Sequence, residues 1–246
     1  MSRVVLIGAL PQSLINFRGD LLKALVTAGH EVTAMADRSG DAVGEQLALL
    51  GVGFRTYPVQ RNGLNPIKDM HTFFALRKAL GELQPDVVLA YTIKPVIWGG
   101  IALKRKSKPR FYALITGLGF SFQENRSVIR RTLTSLVTWL YRVSLFRASR
   151  VIFQNSDNRD FFIARKIIGK DKCSLVNGSG VDLDRFSVTP LPRENNRIVF
   201  LTIGRLLGEK GFREYAEAAR LVKEHYPETI FRLVGPEDSS PDGIPR

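Results

Sequence analysis

The 246-residue chain has little that could cross-link it, anchor it in a membrane or bind a metal. Cys173 is its only cysteine, which excludes an intrachain disulfide and fits a reducing, cytosolic setting. Its three histidines, His30, His71 and His225, are scattered without metal-ligand spacing, so we expect no metal site. No apolar run reaches the roughly 18 residues of a membrane-spanning helix. The apolar start is too short for a signal peptide and predicts a buried first strand.

Acidic residues are scarce in one part of a basic chain. The net charge is +13, and eleven basic residues between positions 101 and 150 face a single acid, Glu124. This asymmetry indicates an anionic partner, which could be a membrane surface, a nucleic acid or a phosphorylated ligand. The basic residues are Lys104, Arg105, Lys106, Lys108, Arg110, Arg126, Arg130, Arg131, Arg142, Arg147 and Arg150.

Strand-length apolar runs alternate with helix-period segments along most of the chain. The alternation predicts an α/β fold, with a doubly wound parallel sheet in a Rossmann-like N-terminal domain over residues 1–177. The polar, proline-containing stretch 178–196 is the candidate linker. Residues 197–246 predict the start of a second Rossmann-like domain. One βαβ unit cannot bury both faces of its sheet, so we expect this second domain to be incomplete.

Two helix predictions group residues by helix face. A helix is expected after a loop at Pro11–Asn16, with Phe17, Leu21, Leu25 and Ala28 on one face. A second helix is expected over Ser127–Phe146, with a sheet-facing row and a separate basic, aromatic face that suits an anionic bilayer surface. A solvated basic face is the alternative. The sheet-facing row is Ile129, Leu133, Leu136, Leu140 and Val143, and the membrane-facing residues are Arg131, Trp139, Arg142 and Phe146.

The connection after the first strand of the second domain carries the strongest chemical signal. Ligands of open α/β sheets bind beyond the carboxyl ends of strands, and a helix N-terminus there attracts phosphate. Gly204 allows close backbone approach, Arg205 can bind a diphosphate bidentately, and Lys210 adds a positive charge. The alternative interpretation is an ordinary basic surface loop.

Two motifs, Val176–Phe186 (VNGSGVDLDRF) and Phe200–Leu206 (FLTIGRL) followed by Lys210-Gly211, resemble those of the family 4 retaining glycosyltransferases of GT-B fold. The resemblance covers the whole chain and implies a bacterial enzyme of polysaccharide or glycan-precursor synthesis. It implies that Arg205 and Lys210 bind the donor diphosphate and support its departure. The family's later acidic motif does not occur before Arg246, so we expect the 246 residues alone to be inactive.

Further site residues follow from the same resemblance. The loop after the first strand would lie beside the donor and the acceptor, which makes Gly8 and Asn16 donor-binding candidates and Arg18 an acceptor-binding candidate. Thr116 and Gly117 follow the fifth predicted strand and could admit the acceptor sugar. For each of these residues a plain structural connection is the alternative.

The expected reaction moves a sugar from a nucleoside diphosphate sugar, UDP-linked, to a polyprenyl-linked glycan with retention of configuration. The nucleotide sugar is a substrate, and no cofactor or metal is implied. The protein would lie peripherally on the cytoplasmic face of the cell membrane and bind no nucleic acid. One alternative is a basic nucleic-acid-binding module, which lacks any recognised signature here. Another is a nicotinamide-dependent enzyme, which the missing G-x-G-x-x-G motif disfavours.

Overall fold

Two compact units make up the chain, Met1–Val181 and Asp182–Arg246. In the computed structural model, the described residues are 1–39, 41–60, 65–103, 109–117, 128–190, 197–237 and 243–244. The division lies inside residues 178–196, which the sequence suggests as a linker; that role stays a prediction. The basic residues at 104–108, Arg126 and the expected helix start at Ser127 lie outside the described residues.

A seven-stranded parallel sheet forms the centre of the first unit. Its strands are β1 (Arg3–Ile7), β2 (Glu31–Ala36), β3 (Gly53–Thr56), β4 (Val87–Tyr91), β5 (Arg110–Ile115), β6 (Ala148–Phe153) and β7 (Cys173–Leu175). They are arranged in the order β3-β2-β1-β4-β5-β6-β7. The strand order therefore changes direction between β1 and β4. In open α/β sheets, the carboxyl ends of the strands at such a point form the ligand-binding crevice.

Helices cover both faces of this sheet. They are α1 (Pro11–Asn16), α2 (Gly19–Thr27), α3 (Asp41–Leu49), α4 (Pro66–Leu83), α5 (Ile93–Ala102), α6 (Val128–Leu145) and α7 (Ser156–Ala164). Two apolar clusters result, one on each side of the strands. The aromatic rings of Phe153 and Phe162 meet edge to face, 5.3 Å apart, in the larger cluster. The expected doubly wound α/β class is confirmed.

The first connection differs from the sequence prediction. Pro11–Asn16 is helical rather than a loop, and a second short helix follows from Gly19. Pro11 suits the first helical turn because its missing N–H would have no partner there. The four residues grouped on one face do not share one environment, since Phe17 and Leu21 are exposed, Leu25 packs partly buried against the smaller apolar cluster, and Leu22 is the fully buried residue of α2. Because α1 and α2 are separate helices, Phe17 before the break and Leu21 after it do not belong to one continuous helix face.

Helix α6 is also rotated relative to the prediction. Leu133 and Leu140 of the predicted row pack partly buried against the larger apolar cluster, as expected, and the side chain of Ile129 lies outside the described residues. Leu136 and Val143 are instead exposed, and the buried apolar residues of α6 are Val137, Tyr141 and Leu145. The large ring of Tyr141 explains this choice, because it packs edge to face on Phe162 at 5.1 Å. Burying that ring removes more apolar area than burying Leu136 or Val143 would.

The solvent side of α6 is consequently more apolar than expected. Four exposed apolar residues recur at the spacing of one helix face, each with 43% to 78% of its surface exposed. We call this set the α6 stripe, and its members are Leu136, Trp139, Val143 and Phe146. Among the described residues, no helix combines the length and apolar character needed to cross a membrane.

The second unit is a single parallel βαβ arrangement. Its elements are β8 (Val199–Ile203), α8 (Phe212–His225) and β9 (Ile230–Val234). Phe200 and Phe231 stack across the two strands at 5.1 Å, and the Tyr215 hydroxyl of α8 donates to the backbone carbonyl oxygens of Phe200 and Arg232. These contacts fix the helix on one face of the strand pair.

Candidate functional site

The carboxyl ends of β1 and β4 are packed together at the switch point of the first sheet. Gly8 follows β1, and a Cβ atom at this position would lie 2.3 Å from the Tyr91 hydroxyl oxygen at the end of β4. The Gly8 N–H donates to the Met35 carbonyl oxygen, and its carbonyl accepts from the Tyr57 hydroxyl at 2.7 Å. Gly8 therefore has a packing role, and in this structure its N–H is already used. Its predicted donor-binding role stays a prediction.

Backbone strain occurs at the same crevice. Thr92, directly after β4, has φ 67° and ψ 164° at the start of α5, a region that β-branched residues rarely occupy. Its hydroxyl oxygen is buried and has no hydrogen-bond partner in the structure. Strain of this kind costs about 1–3 kcal/mol and tends to collect at functional sites.

Arg18 is a buried cation in the connection between α1 and α2, with 6% of its surface exposed. Its guanidinium stacks 4.9 Å from the Tyr91 ring centre, and one terminal nitrogen donates to the Phe17 carbonyl and to the Ser179 hydroxyl. Its Nε atom is buried and has no hydrogen-bond partner among the described residues. Desolvation lowers the pKa of Arg18, while the charge interaction with Tyr91 acts in the opposite direction.

Tyr91 and Ser13 complete this arrangement from the other side. Their hydroxyl groups share a hydrogen bond of 2.7 Å. Burial raises the pKa of Tyr91, and the Ser13 hydrogen bond and the charge of Arg18 partly oppose that rise. Tyr91 therefore stays a neutral ring that supports the Arg18 guanidinium.

The other predicted residues of the first unit lie along the same sheet edge. Asn16 is exposed at the end of α1, where its side-chain oxygen accepts from Gln12. Thr116 and Gly117 follow β5 and are partly exposed, and a Cβ at Gly117 would meet nothing within 4 Å. The topology thus places Arg18 in the connection after β1 and the Thr116-Gly117 pair after β5, two places along the sheet.

In the second unit, the β8–α8 connection carries Gly204, Arg205 and Lys210. The buried side chains of Leu206 and Leu207 anchor it. The Leu206 N–H donates to the carbonyl oxygen of Pro236, after β9. These anchors leave the Arg205 and Lys210 side chains exposed at the carboxyl end of the strand.

The glycine pair at the carboxyl ends of β8 and β9 keeps this connection close to the sheet. A Cβ at Gly235 would lie within 1.7 Å of the Gly204 carbonyl oxygen, and a Cβ at Gly204 would be 3.3 Å from the Phe212 ring. Only glycine fits at position 235 without moving the backbone. The two strand ends could not approach in this way with larger residues.

Lys210 ends a short 3-10 turn directly before α8, and its ammonium lies 3.9 Å from the Glu209 carboxylate. Gly211, at φ 75°, is the N-cap residue directly before α8 and supplies no capping side chain. A helix of this length has a positive dipole end and backbone N–H groups available to an anion. The predicted placement of Arg205 and Lys210 beside a helix N-terminus therefore matches the structure, while their roles stay predictions.

Sequence reasoning missed Ser13, Tyr91, Gln154 and Ser179. Tyr91 ends β4 and Gln154 follows β6, so the rule that carboxyl ends of parallel strands carry functional side chains could have found both. In the described part of the chain, no three His, Cys, Asp or Glu side chains are grouped to hold a metal ion. The expectation that the reaction uses no metal stays a prediction.

The family of this chain is assigned from its sequence. The model of Glycosyltransferase Family 4 matches residues 19–185, most of the first unit. The chain belongs to glycosyltransferase family 4. The matched range includes the crevice residues Tyr91, Thr116 and Ser179, and it ends before the β8–α8 connection.

Two curated relatives of this family 4 chain act on lipid-linked sugars by name. One is the N,N'-diacetylbacillosaminyl-diphospho-undecaprenol alpha-1,3-N-acetylgalactosaminyltransferase of Campylobacter jejuni, 28% identical, with 93% of this chain and 62% of the relative covered. The other is the UDP-Gal:alpha-D-GlcNAc-diphosphoundecaprenol alpha-1,3-galactosyltransferase of Escherichia coli, 26% identical, with 72% and 47% covered. The chain thus spans about half to two thirds of the length of these relatives.

Solved structures agree on the fold. A glycosyltransferase from Rickettsia africae aligns with a TM-score of 0.60 at 15% identity, covering 97% of this chain and 69% of that one. The UDP complex of MnaA from S. aureus aligns with a TM-score of 0.61 at 16% identity, covering 98% and 63%. The expected GT-B architecture is confirmed.

Proposed function

We propose that this family 4 protein transfers a sugar from a UDP-sugar to a glycan linked to a polyprenyl diphosphate, with retention of the anomeric configuration. The observation that carries the proposal is the β8–α8 connection, where Arg205 and Lys210 lie at the carboxyl end of a parallel strand, next to a helix that begins at Phe212. The names of the two relatives support the acceptor class, and one of them names UDP-Gal as donor.

In the proposed reaction, the bond between the sugar C1 and the β-phosphate oxygen breaks as an acceptor hydroxyl oxygen bonds to C1 on the same face. The proton of that hydroxyl passes to the departing diphosphate. Arg205 and Lys210 stabilise the negative charge that develops on this leaving group, an electrostatic role suited to fixed cations. The nucleotide sugar is a substrate, and the proposed chemistry needs no metal or cofactor.

The acceptor side is proposed to lie on the first unit. Arg18, Thr116 and Gly117 share the carboxyl edge of its sheet, and Gly8 and Asn16 flank that edge. A polyprenyl-linked acceptor is confined to a membrane, so the enzyme must work at the bilayer surface. We therefore propose a peripheral position on the cytoplasmic face of the cell membrane.

The α6 stripe is the proposed membrane contact. Between positions 125 and 150 the sequence contains no acidic residue, and the exposed Arg131 lies on the same helix. Arg142 is exposed too, but its guanidinium donates to the carbonyl oxygens of Arg165 and Lys166 after α7. Arg142 therefore also ties two helices together, and Trp139 and Phe146 carry most of the proposed insertion.

Replacing both Trp139 and Phe146 by Ala is expected to weaken binding to anionic vesicles on the order of tenfold, because two exposed apolar side chains no longer enter the interface. Sedimentation with anionic vesicles at low and high salt measures this. Leu49→Ala, on α3, is the control because it removes another strongly exposed apolar side chain. Absence of wild-type binding at low salt would end the membrane proposal.

The donor class is tested by competition on the 246-residue chain. UDP-sugar, NAD and duplex DNA are compared as competitors of a fluorescent UDP derivative. Displacement by the UDP-sugar alone is the expected result. Displacement by NAD or by DNA would instead favour the nicotinamide-dependent or the nucleic-acid-binding alternative.

Transfer itself is measured with two proteins, the 246-residue chain and a chimera that adds the part of the C. jejuni relative beyond the aligned region. The acceptor is a sugar on a short polyprenyl diphosphate, and UDP-sugars are supplied as a panel. We expect an α-linked product from the chimera and none from the shorter chain. A chimera that binds UDP and yet elongates no acceptor with any donor would contradict the proposed reaction.

A further inference from the structure

The Arg18 guanidinium is a buried positive charge hydrogen-bonded to neutral groups. In the part of the chain that the structure describes, no carboxylate pairs with it, and its hydrogen bonds go to neutral oxygens of Phe17 and Ser179. Burying an arginine without an anion costs several kcal/mol, unless a ligand supplies the charge. The neutral ring of Tyr91 offsets only part of this cost.

Ser179 lies at a point where two donors converge. Its hydroxyl oxygen accepts from a terminal nitrogen of Arg18 at 2.9 Å and from the Gln154 side-chain nitrogen at 3.2 Å. A serine hydroxyl has two acceptor lone pairs and one proton to donate. With both lone pairs used, only the proton remains, so the exposed hydroxyl can bind a ligand only as a donor.

The Ser179 hydroxyl lies at the carboxyl edge of the first sheet. Arg18 follows β1, Gln154 follows β6 and Ser179 follows β7. Since β4 and β5 lie between β1 and β6, and neighbouring strands are about 4.8 Å apart, the contact must cross the carboxyl ends of these strands. Thr92 and Thr116 follow those two strands.

Two glycines flank Ser179 in the loop after β7. Gly178 and Gly180 have φ 83° and 75°, a region in which glycine carries no steric penalty, and among the described residues a Cβ at either glycine would meet nothing within 4 Å. The loop therefore presents the Ser179 hydroxyl with no side chain on either neighbouring residue.

We propose that Arg18, Ser179 and Gln154 form a binding site for a phosphate group of a diphosphate ligand. Arg18 supplies the charge, the Ser179 hydroxyl donates to a phosphate oxygen, and Gln154 orients that hydroxyl. Because this inference names the group bound at the proposed acceptor edge, it rests on the proposed function. The phosphate can belong to the polyprenyl diphosphate or to the UDP moiety.

Binding of inorganic pyrophosphate to the 246-residue chain, measured by calorimetry, tests the site without any transfer reaction. Ser179→Ala is expected to weaken binding about 3- to 10-fold, since one neutral donor is lost, and Arg18→Gln about 10- to 100-fold. Lys23→Gln is the matched control, because it removes one positive charge from the exposed surface of α2 and should change binding less than twofold. Ser179 is exposed, so its variant folds even where Arg18→Gln does not.

Geranyl diphosphate and UDP are titrated in parallel to identify the source of the phosphate. A loss confined to geranyl diphosphate assigns the site to the acceptor, and a loss confined to UDP assigns it to the donor. Wild-type protein that binds no pyrophosphate, or variants that bind all three probes as Lys23→Gln does, would overturn the site. That failure would leave the transferase proposal standing, since vesicle binding and sugar transfer are measured separately.

Discussion

Replacing Arg205 by Ala is expected to weaken UDP binding to the 246-residue chain about 10- to 100-fold, the loss that follows when charge-assisted hydrogen bonds to a diphosphate are removed. The guanidinium lies just beyond β8, where the backbone of the connection is anchored by Leu206 and Leu207. Lys210→Ala should weaken UDP binding less, about tenfold, because an ammonium contributes a point charge rather than a planar pair of donors. Isothermal titration calorimetry with UDP measures both.

The matched control is Arg197→Ala. Arg197 lies just before β8, at the opposite end of the strand, and pairs with Glu228 at 3.3 Å. Its replacement removes the same charge from the second unit and should leave UDP binding within about twofold, since exposed ion pairs are worth little. Equal losses for Arg197→Ala and Arg205→Ala would mean that UDP responds only to the overall charge.

Gly235→Ala is expected to disrupt the second unit. The added methyl group would overlap the Gly204 carbonyl oxygen, which is backbone and cannot swing aside. Overpacking typically costs about 1–3 kcal/mol, and a clash between two backbones lies at or above the upper end. Because the connection of Arg205 begins at Gly204, UDP binding should fall together with stability.

Hydrogen exchange read by mass spectrometry is the suitable probe, since both tryptophans, Trp98 and Trp139, are in the first unit and cannot report on the second. Faster exchange is expected in peptides from β8, α8 and β9, with no change in β1 or β4. Gly19→Ala is the control, because a Cβ there meets nothing within 4 Å. Unaltered exchange in Gly235→Ala would show that the strand ends do not approach as closely as described.

The sequence predicts the layout of this protein well because its signals are local. Buried parallel strands appear as continuous apolar runs, and glycine and proline mark most of the connections. Helix α8 begins directly after Gly211, and the side chain of Asn155 caps α7 by accepting a hydrogen bond from the Asn158 N–H. The strand–connection–helix placement of Arg205 and Lys210 follows from the same local pattern.

Features that depend on tertiary packing could not be predicted from local sequence patterns. The periodicity of α6 allowed several apolar faces, and the ring of Tyr141 against Phe162 determined which one is buried. Likewise, Ser179 lies in the Val176–Phe186 motif, but its contacts could not be predicted from that motif, because its partners Arg18 and Gln154 are 161 and 25 residues away in sequence. Only the fold of the sheet brings such side chains to one edge.

The account depends most on the claim that the β8–α8 connection binds the donor diphosphate. A crystal structure of the chain with UDP tests it directly. We expect diphosphate oxygens within hydrogen-bond distance of the Arg205 guanidinium and the Lys210 ammonium, near the N-terminus of α8. A bound UDP whose phosphates lie elsewhere, with both side chains directed into solvent, would contradict it.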